Sequence, residues 1–244
     1  LYDRFVNQGA VMGDSFGLEN VLWFANNKED AHEEPTIKRS RSHDYVSKEV
    51  INVRENVGLI EVANFSKHEF KGPDARKFLD HIMAGRLPKP GRISLSPMLS
   101  YRGKLCGDLT VACLDENEFM VFGSGAAQEM HRRWFESHID KFNLSYSNRS
   151  DEYHGLSIAG PNSRKVLEKI VRDDVSNEKF KFRDSRRMFV GGVPAIINRI
   201  SFTGELGYEI YVAPHYQLKL YEELMEAGKE FNIKPFGGRA LMSM

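Results

Sequence analysis

The stretch RISFTGELGYEIY, residues 199–211, predicts two antiparallel strands joined by a tight turn at 203–207. Its glycines suit the turn, but a hairpin does not need the carboxylate of Glu209 in the returning strand. Glu209 shares a strand face with Tyr211. Two interpretations remain open for this residue. It forms a cross-strand ion pair with Arg199, or it accepts two parallel hydrogen bonds from the flat N–H/NH₂ edge of a ligand, such as an aminopyrimidinone.

A second carboxylate lies inside a predicted strand, at Asp108 in KLCGDLTVACL, residues 104–114. A charge in such an apolar strand is costly unless it faces water, a partner or a ligand. Period-two alternation places Asp108 on one face with Cys106, Thr110 and Ala112, and these small side chains leave room for a ligand. The alternative is an aspartate on the surface of an edge strand.

An internal repeat organises the chain around these strands. FKGPDARKFLDHI, residues 70–82, is similar to IAGPNSRKVLEKI, residues 158–170, and both predict a strand, a Gly-Pro turn and a helix. YVAPHYQLKLYEEL, residues 211–224, is a looser third case. The pattern predicts an α+β fold of two small antiparallel-sheet domains with helices on one face of each sheet. Shared helix-start chemistry alone is the alternative explanation.

The remaining elements follow from hydrophobic periodicity and turn residues. A helix is predicted over 47–58, with Ser47 as its N-cap and Gly58 as its stop signal. Residues 1–46 are irregular, and their aromatic residues Phe16, Trp23 and Phe24 are expected to pack in the core. Further strands are predicted at 67–70, 92–99, 118–123 and 144–149, and further helices at 73–85 and about 126–139.

Composition and charge exclude several classes of protein. The 244 residues contain 34 Lys+Arg and 34 Asp+Glu, so no net field favours a nucleic-acid or membrane partner, and we expect neither. The sequence contains no apolar run of about 18 residues and no signal peptide. We expect the protein to work in the cytoplasm, or in the mitochondrial matrix if its source is eukaryotic.

Several common chemistries find no support in the sequence. Cys106 and Cys113 are separated by an odd number of positions on one predicted strand, so they are expected on opposite faces. This argues against a disulfide and a shared metal. The histidines lack metal-binding spacing, so no metal site is predicted. FGSGAA (122–127) and FGGRA (236–240) lack the strand–GxGxxG–helix context of a nucleotide site, and no GxSxG elbow is present.

Four segments resemble a known family in their order along the chain: residues 1–25, 91–111, 156–167 and 198–212. They are similar to the folate-binding aminomethyltransferase fold of the glycine cleavage T-protein. They resemble even more closely the C-terminal half of dimethylglycine and sarcosine dehydrogenases.

The resemblance implies three small domains around a central hole that binds tetrahydrofolate. Residues 1–64 with 152–244 would form the first domain, and 65–151 would form an inserted second domain. The third domain is expected beyond Met244 and is missing here. A flavin domain is expected before Leu1, so FAD would bind only in that separate upstream part.

Site residues are carried over position by position from this resemblance. Asp108 would be the catalytic acidic group beside the reactive nitrogens of the folate, where it orients a nitrogen and accepts a proton. Glu209 would bind the pterin edge, and Thr110 and Ser124 would line the same pocket.

Other positions depart from the T-protein pattern. Phe202 replaces a tyrosine, and Leu95 replaces an aromatic residue with a hydroxyl; both are still expected to contact the folate. Leu241 replaces an arginine that meets the folate tail or the aminomethyl-lipoyl carrier, and residues 61–65 read EVANF where that family has Asp-Val-Ser-His-Met. These changes fit the methylglycine dehydrogenase branch, which needs no lipoyl carrier.

The resemblance therefore implies the tetrahydrofolate-binding, one-carbon transfer portion of a dimethylglycine/sarcosine dehydrogenase-like enzyme. It would form 5,10-methylenetetrahydrofolate from an iminium that the flavin domain makes from an N-methyl amine. The fragment alone is not expected to oxidise amines. The alternatives are a free-standing folate-dependent aminomethyltransferase or demethylase, and a non-catalytic folate-binding regulator.

Overall fold

The computed structural model describes residues 1–15 and 17–244, so Phe16 of the predicted aromatic group lies outside the described residues. The helices are α1 (Tyr2–Asn7), α2 (Ser42–Glu55), α3 (Ala75–Ile82), α4 (Gln128–Glu136), α5 (Ser163–Glu168), α6 (Gln217–Ala227) and α7 (Gly238–Leu241). The first strands are β1 (Ala10–Ser15), β2 (Leu18–Phe24), β3 (Val57–Glu61), β4 (Phe65–Lys71), β5 (Arg92–Leu99), β6 (Leu105–Asp115) and β7 (Glu118–Ser124). The remaining strands are β8 (Ser145–Asn148), β9 (His154–Ala159), β10 (Ser185–Val190), β11 (Val193–Asn198), β12 (Gly207–Val212) and β13 (Ile233–Pro235).

Two larger sheets and one small hairpin organise these strands. The first sheet has the order β10-β11-β12-β9-β3-β13, with all pairs antiparallel except β13 and β3. The second has the order β5-β6-β7-β4-β8 and is antiparallel throughout. β1 and β2 form the separate hairpin. The predicted α+β class with antiparallel sheets is confirmed.

The internal repeat is a repeat of topology as well as of sequence. β4, α3, β5, β6 and β7 give the strand order 5-6-7-4, and β9, α5, β10, β11 and β12 give the equivalent order 10-11-12-9. Gly72 and Gly160, which follow the first strand of each unit, have φ angles of 137° and 129°. Only glycine adopts this backbone readily. The similarity therefore extends well beyond helix-start chemistry.

The hydrophobic core has three parts. One packs the first sheet against α5 and α6, and another packs the second sheet against α3 and α4. The third lies between the two sheets and includes Trp23, Phe122, Tyr211 and Phe236. Trp23 is fully buried, as predicted.

The strands of the first sheet fall within 1–64 and 152–244, and those of the second fall within 65–151. Main-chain bonds join the two sheets where the N–H of Ile93 donates to the Arg183 carbonyl and that of Ser185 donates to the Gly91 carbonyl, both at 2.9 Å. The division into two domains at those boundaries stays a prediction.

Residues 1–46 are predicted to be irregular but contain α1, β1, β2 and the start of α2, and three further local predictions are wrong in detail. α2 begins at Ser42, and Ser47 lies inside it with its hydroxyl donating to the His43 carbonyl. Gly58 belongs to β3, where a Cβ would overlap Val53 and Phe236, so it marks close packing. Residues 199–206 form a loop, because the pairing of β11 with β12 ends at Asn198 and Glu209.

The two cysteines are free, but their predicted placement on opposite faces is wrong. A bulge in β6 pairs Met98 with Gly107 and Leu99 with Leu105, which leaves Cys106 as an extra residue. The bulge shifts the alternation by one residue. Cys106 therefore packs against the same core as Cys113, under α3 and α4.

Two histidines are buried where the second sheet packs against α4: His68 on β4 and His131 on α4. His68 is fully buried, its Nδ1 lies 2.9 Å from the Tyr146 hydroxyl, and its ring centroid is 6.2 Å from that of His131. Burial, followed by the charge of His131, lowers the pKa of His68 to about 3, and burial also lowers the pKa of His131. Because these pKa values lie below the unfolded value near 6.5, the stability they contribute is present above pH 6.5 and is lost as pH falls below it.

We expect His68→Phe to gain stability relative to the parent chain as pH falls from 6.5 to 5, by up to ~2 kcal/mol. The quantity to measure is the difference in the free energy of unfolding between the variant and the parent chain. Glu49 and Glu209 have raised pKa values and change the stability of both proteins in the opposite direction over this range. Urea unfolding at both pH values measures it. The exposed His215, changed to Gln, is the control, and a pH-independent difference for His68→Phe would contradict the assignment.

Candidate functional site

A cavity of about 730 Å³ lies between the two sheets. The first sheet contributes Ile60, Ser157 and Glu209, and the second contributes residues from β5, β6 and β7. All six site residues predicted from the sequence line this one cavity: Leu95, Asp108, Thr110, Ser124, Phe202 and Glu209. The fold therefore brings the whole predicted set together, while the role of each residue stays a prediction.

Glu209 lies on β12 between Asn198 on β11 and Ser157 on β9. The Tyr211 hydroxyl donates to its Oε2 at 2.9 Å, and the Tyr211 ring stacks on Phe122 of the second sheet, with centroids 4.6 Å apart. Burial raises the pKa of Glu209 to about 7, and the hydrogen bond from Tyr211 opposes this shift. The carboxyl is therefore a partly buried group in the cavity wall, and Tyr211 fixes one of its oxygens.

The ion pair between Glu209 and Arg199 does not form. The Arg199 guanidinium donates instead to Asn177 Oδ1, at 2.5 Å, and to the Phe180 carbonyl. Across residues 1–15 and 17–244, no Lys, Arg or His nitrogen lies within 4.0 Å of the Glu209 carboxylate. The geometry therefore excludes the ion pair with Arg199, and the binding of a ligand edge by Glu209 stays a prediction.

Asp108 stands on the facing wall. It lies on β6, which is flanked by β5 and β7, and its cross-strand partner is Pro97. Its side chain is solvent-exposed and lines the cavity, and the pairing of β6 with β7 begins only at Thr110, so both interpretations of Asp108 stay open. Thr110 follows on the same face, opposite Leu95 on one side and Phe122 on the other. A hydrated carboxylate in this position can exchange protons with a cavity ligand and with solvent.

Exposed apolar side chains also line the cavity. Leu95, Phe182 and Phe202 are between 64% and 67% exposed although each lines the cavity. Large exposed hydrophobic groups around a concave site are typical of binding surfaces. Ser124 ends β7 and is also exposed to the cavity.

Sequence reasoning missed several lining residues. Phe182 and Arg183 belong to a loop with no periodic pattern, and Arg183 has a left-handed φ of 67° with its Nε donating to the Ile93 carbonyl at 3.0 Å. Neither position carries a signal in the sequence. Tyr211 did carry one, because it lies two residues after Glu209 and so shares its strand face.

The described residues contain neither a group of metal-ligating side chains nor a membrane-spanning helix. In the part of the chain that the structure describes, no three His, Cys, Asp or Glu side chains are grouped closely enough to bind a metal ion. Likewise, no helix within 1–15 and 17–244 has the length and apolar character needed to cross a membrane.

Comparison with known proteins agrees with the fold and the cavity. The whole chain, residues 1–244, matches the family described as GCVT N-terminal domain. Mouse mitochondrial dimethylglycine dehydrogenase is 35% identical over 96% of this chain and 27% of its own length. Sarcosine oxidase subunit alpha of Rhizobium meliloti is 32% identical over 99% of this chain and 24% of its own length. This chain thus spans about a quarter of these relatives.

A solved structure shows the same fold. The glycine cleavage system aminomethyltransferase T of Bartonella henselae superposes with a TM-score of 0.81 at 21% identity, over 98% of this chain and 59% of that one. The two sheets and the cavity between them therefore define an aminomethyltransferase-type α+β domain. The chain belongs to the GCVT N-terminal domain family, and its relatives there are enzymes.

Proposed function

We propose that this chain is the tetrahydrofolate-binding, one-carbon transfer portion of a dimethylglycine/sarcosine dehydrogenase-like enzyme. One observation carries the proposal. Glu209 and Asp108 face a single cavity from two different sheets, and Glu209 lacks a cationic partner in the described structure. One wall can therefore hold a ring edge while the other exchanges protons.

The residues fit tetrahydrofolate. The cavity volume of about 730 Å³ falls inside the range of roughly 300–1,000 Å³ that small-molecule sites occupy. The free acceptor of Glu209 matches the paired N–H donors of the pterin ring, and Ile60, Phe122 and Phe202 supply apolar contacts. When bound, tetrahydrofolate would supply the nucleophilic nitrogens that accept the one-carbon unit.

Each residue of the cavity has a different role in this proposal. Glu209, held by Tyr211, binds and orients the ring edge. Asp108 accepts a proton released during transfer and stabilises positive charge beside the reacting nitrogens. Thr110 and Ser124 offer hydroxyl groups to the ligand, while Leu95 and Phe202 exclude water at the entrance. Asp108, Ser124, Leu95 and Phe202 are exposed to the cavity, while Glu209 is partly buried in its wall.

The rest of the enzyme is part of the same proposal. An upstream flavin domain would oxidise an N-methyl amine to the iminium, and a downstream third domain would complete the folate site. The similarity to dimethylglycine dehydrogenase supports this arrangement, because that relative is almost four times as long as the matched region. The two domains within this chain would be 1–64 with 152–244, and 65–151. We place the enzyme in the cytoplasm, or in the mitochondrial matrix of a eukaryote.

A binding measurement tests the proposal. We expect a stable reduced folate, 5-formyltetrahydrofolate, to raise the Tm of the purified chain by about 5–10 °C at a concentration 100 times its Kd. Differential scanning calorimetry and isothermal titration measure the effect. ATP at the same concentration is the control ligand. If saturating reduced folate leaves Tm unchanged, the proposed function is wrong.

A further inference from the structure

A row of polar side chains crosses the first sheet on the face that lines the cavity. Its members are successive cross-strand partners: Ser185 on β10 pairs with Asn198 on β11, Asn198 pairs with Glu209 on β12, and Glu209 pairs with Ser157 on β9. Ser157 and Glu209 line the cavity itself, and the two members nearer the sheet edge are buried. The row therefore runs from the buried Ser185 and Asn198 to the Glu209 carboxylate, which lines the cavity.

Asn198 has an unused hydrogen-bond donor. Its side chain is fully buried, and its Oδ1 accepts a hydrogen bond from the Ser185 hydroxyl at 2.7 Å. This bond fixes which way the amide faces. Its Nδ2 has no hydrogen-bond partner among the described residues. A buried donor without an acceptor lowers the stability of the fold, so its presence needs an explanation.

Glu209 has an oxygen that accepts no hydrogen bond from the described residues. Tyr211 occupies its Oε2, while no side-chain or main-chain donor among the described residues bonds to its Oε1. Directly opposite residues on antiparallel strands have Cβ atoms about 4.5–5.5 Å apart, so the Asn198 amide is adjacent to this carboxyl. An unused donor thus lies beside an unused acceptor.

Few other groups act on this carboxyl. Of the elements around it, β12 presents Tyr211, β6 presents Asp108, and the 182–184 loop presents Arg183, whose Nε is bonded to the Ile93 carbonyl. Neither Asp108 nor Arg183 contributes to the shifted pKa of Glu209. The neighbours on β9, β3 and β7 are Ser157, Ile60 and Phe122, which carry no charge. Of the two cross-strand partners of Glu209, Ser157 and Asn198, Asn198 is the one with a buried donor that has no acceptor among the described residues.

We infer that Asn198 is a positioning residue: its Nδ2 makes no hydrogen bond to the described residues in this structure, and a rotation of the Glu209 side chain lets it donate to Oε1, so that Ser185 and Asn198 together orient the carboxylate and favour its ionised form. The oxygen pair is then aimed at the cavity with its charge available to a ligand. The part of this inference that concerns the ligand rests on the proposed function; the coupling between Asn198 and Glu209 does not.

The test is the titration of the Glu209 carboxyl, followed by ¹³C NMR in ligand-free protein and assigned with Glu209→Gln. We expect Asn198→Leu to raise the titration midpoint by about one pH unit, because a donor to the charged form is lost. The isosteric Asn198→Asp should raise it further, because a second carboxyl then faces the first. Ser157→Ala, on the other flank, should leave it unchanged.

A midpoint in both Asn198 variants equal to that of the parent chain would overturn the inference, as would a shift produced only by Ser157→Ala. Reduced-folate affinity gives a second readout. In Asn198→Leu it should fall about fivefold at pH 7, because a one-unit shift from a pKa of about 7 lowers the ionised fraction by that factor, and it should recover at pH 9. A pH-independent loss would indicate a merely structural role. Failure of the parent chain to bind folate overturns the proposed function alone, because the titration is measured without ligand.

Discussion

Replacing Asp108 with asparagine is expected to lower the rate of one-carbon transfer to tetrahydrofolate by ~10²- to 10⁴-fold and to change reduced-folate affinity only a few-fold. The isosteric amide keeps the size and polarity of the side chain but can neither accept a proton nor offset positive charge. Asp108 is exposed to the cavity on β6, so the substitution leaves the core intact. Single-turnover formation of methylenetetrahydrofolate, with affinity measured separately, separates the two effects.

The chain offers a matched control at the end of the same strand. Asp115 is also exposed on β6 and does not line the cavity. Asp115→Asn should therefore leave both rate and affinity unchanged. An Asp108→Asn enzyme that transfers at the parent rate would remove Asp108 from the chemistry, while equal losses of rate and affinity would make it a binding residue.

The essential geometry of the site could be predicted from the sequence because it depends on strand alternation. Asp108 and Thr110 share a face on β6, as Glu209 and Tyr211 do on β12, and period two is all that this placement requires. The resemblance to the aminomethyltransferase fold then placed these two strands around one cavity. Neither step needed the detailed packing.

The errors have a common physical cause. The predicted face of Cys106 is wrong because a bulge adds one residue to β6 and shifts the alternation; Gly107 beside it is consistent with a bulge but does not by itself establish one. The strand expected at 199–202 is a loop, and the side chain of Arg199 in it bonds to a segment distant in sequence, at Asn177 and Phe180. Phe182 was missed for the same reason. Long-range contacts decide these positions, and local patterns do not record them.

Glu209→Gln is expected to weaken reduced-folate binding at pH 8 by at least ~30-fold, because truncating one partner of a charge-assisted, partly buried pair costs about 2–5 kcal/mol. The amide retains an oxygen for the Tyr211 hydroxyl but turns an N–H₂ group toward the ligand donors. Isothermal titration measures the loss. The parent affinity should fall as pH drops below 7, since the Glu209 pKa is about 7 and the protonated carboxyl cannot accept both donors. The variant should show no such dependence.

The Glu209→Gln variant should bind folate more weakly than the parent chain without being less stable. Measuring both quantities distinguishes a lost ligand contact from a damaged fold. The pKa of Glu209 is raised from 4.5 to about 7 by burial, so the stability it contributes is present below pH 4.5 and is lost as pH rises through 7. Glu209→Gln removes that charge. Its Tm at pH 8 should equal or exceed that of the parent chain while folate affinity falls. A variant that lost both would show that Glu209 supports the sheet, whereas one that lost neither would exclude it from the folate site.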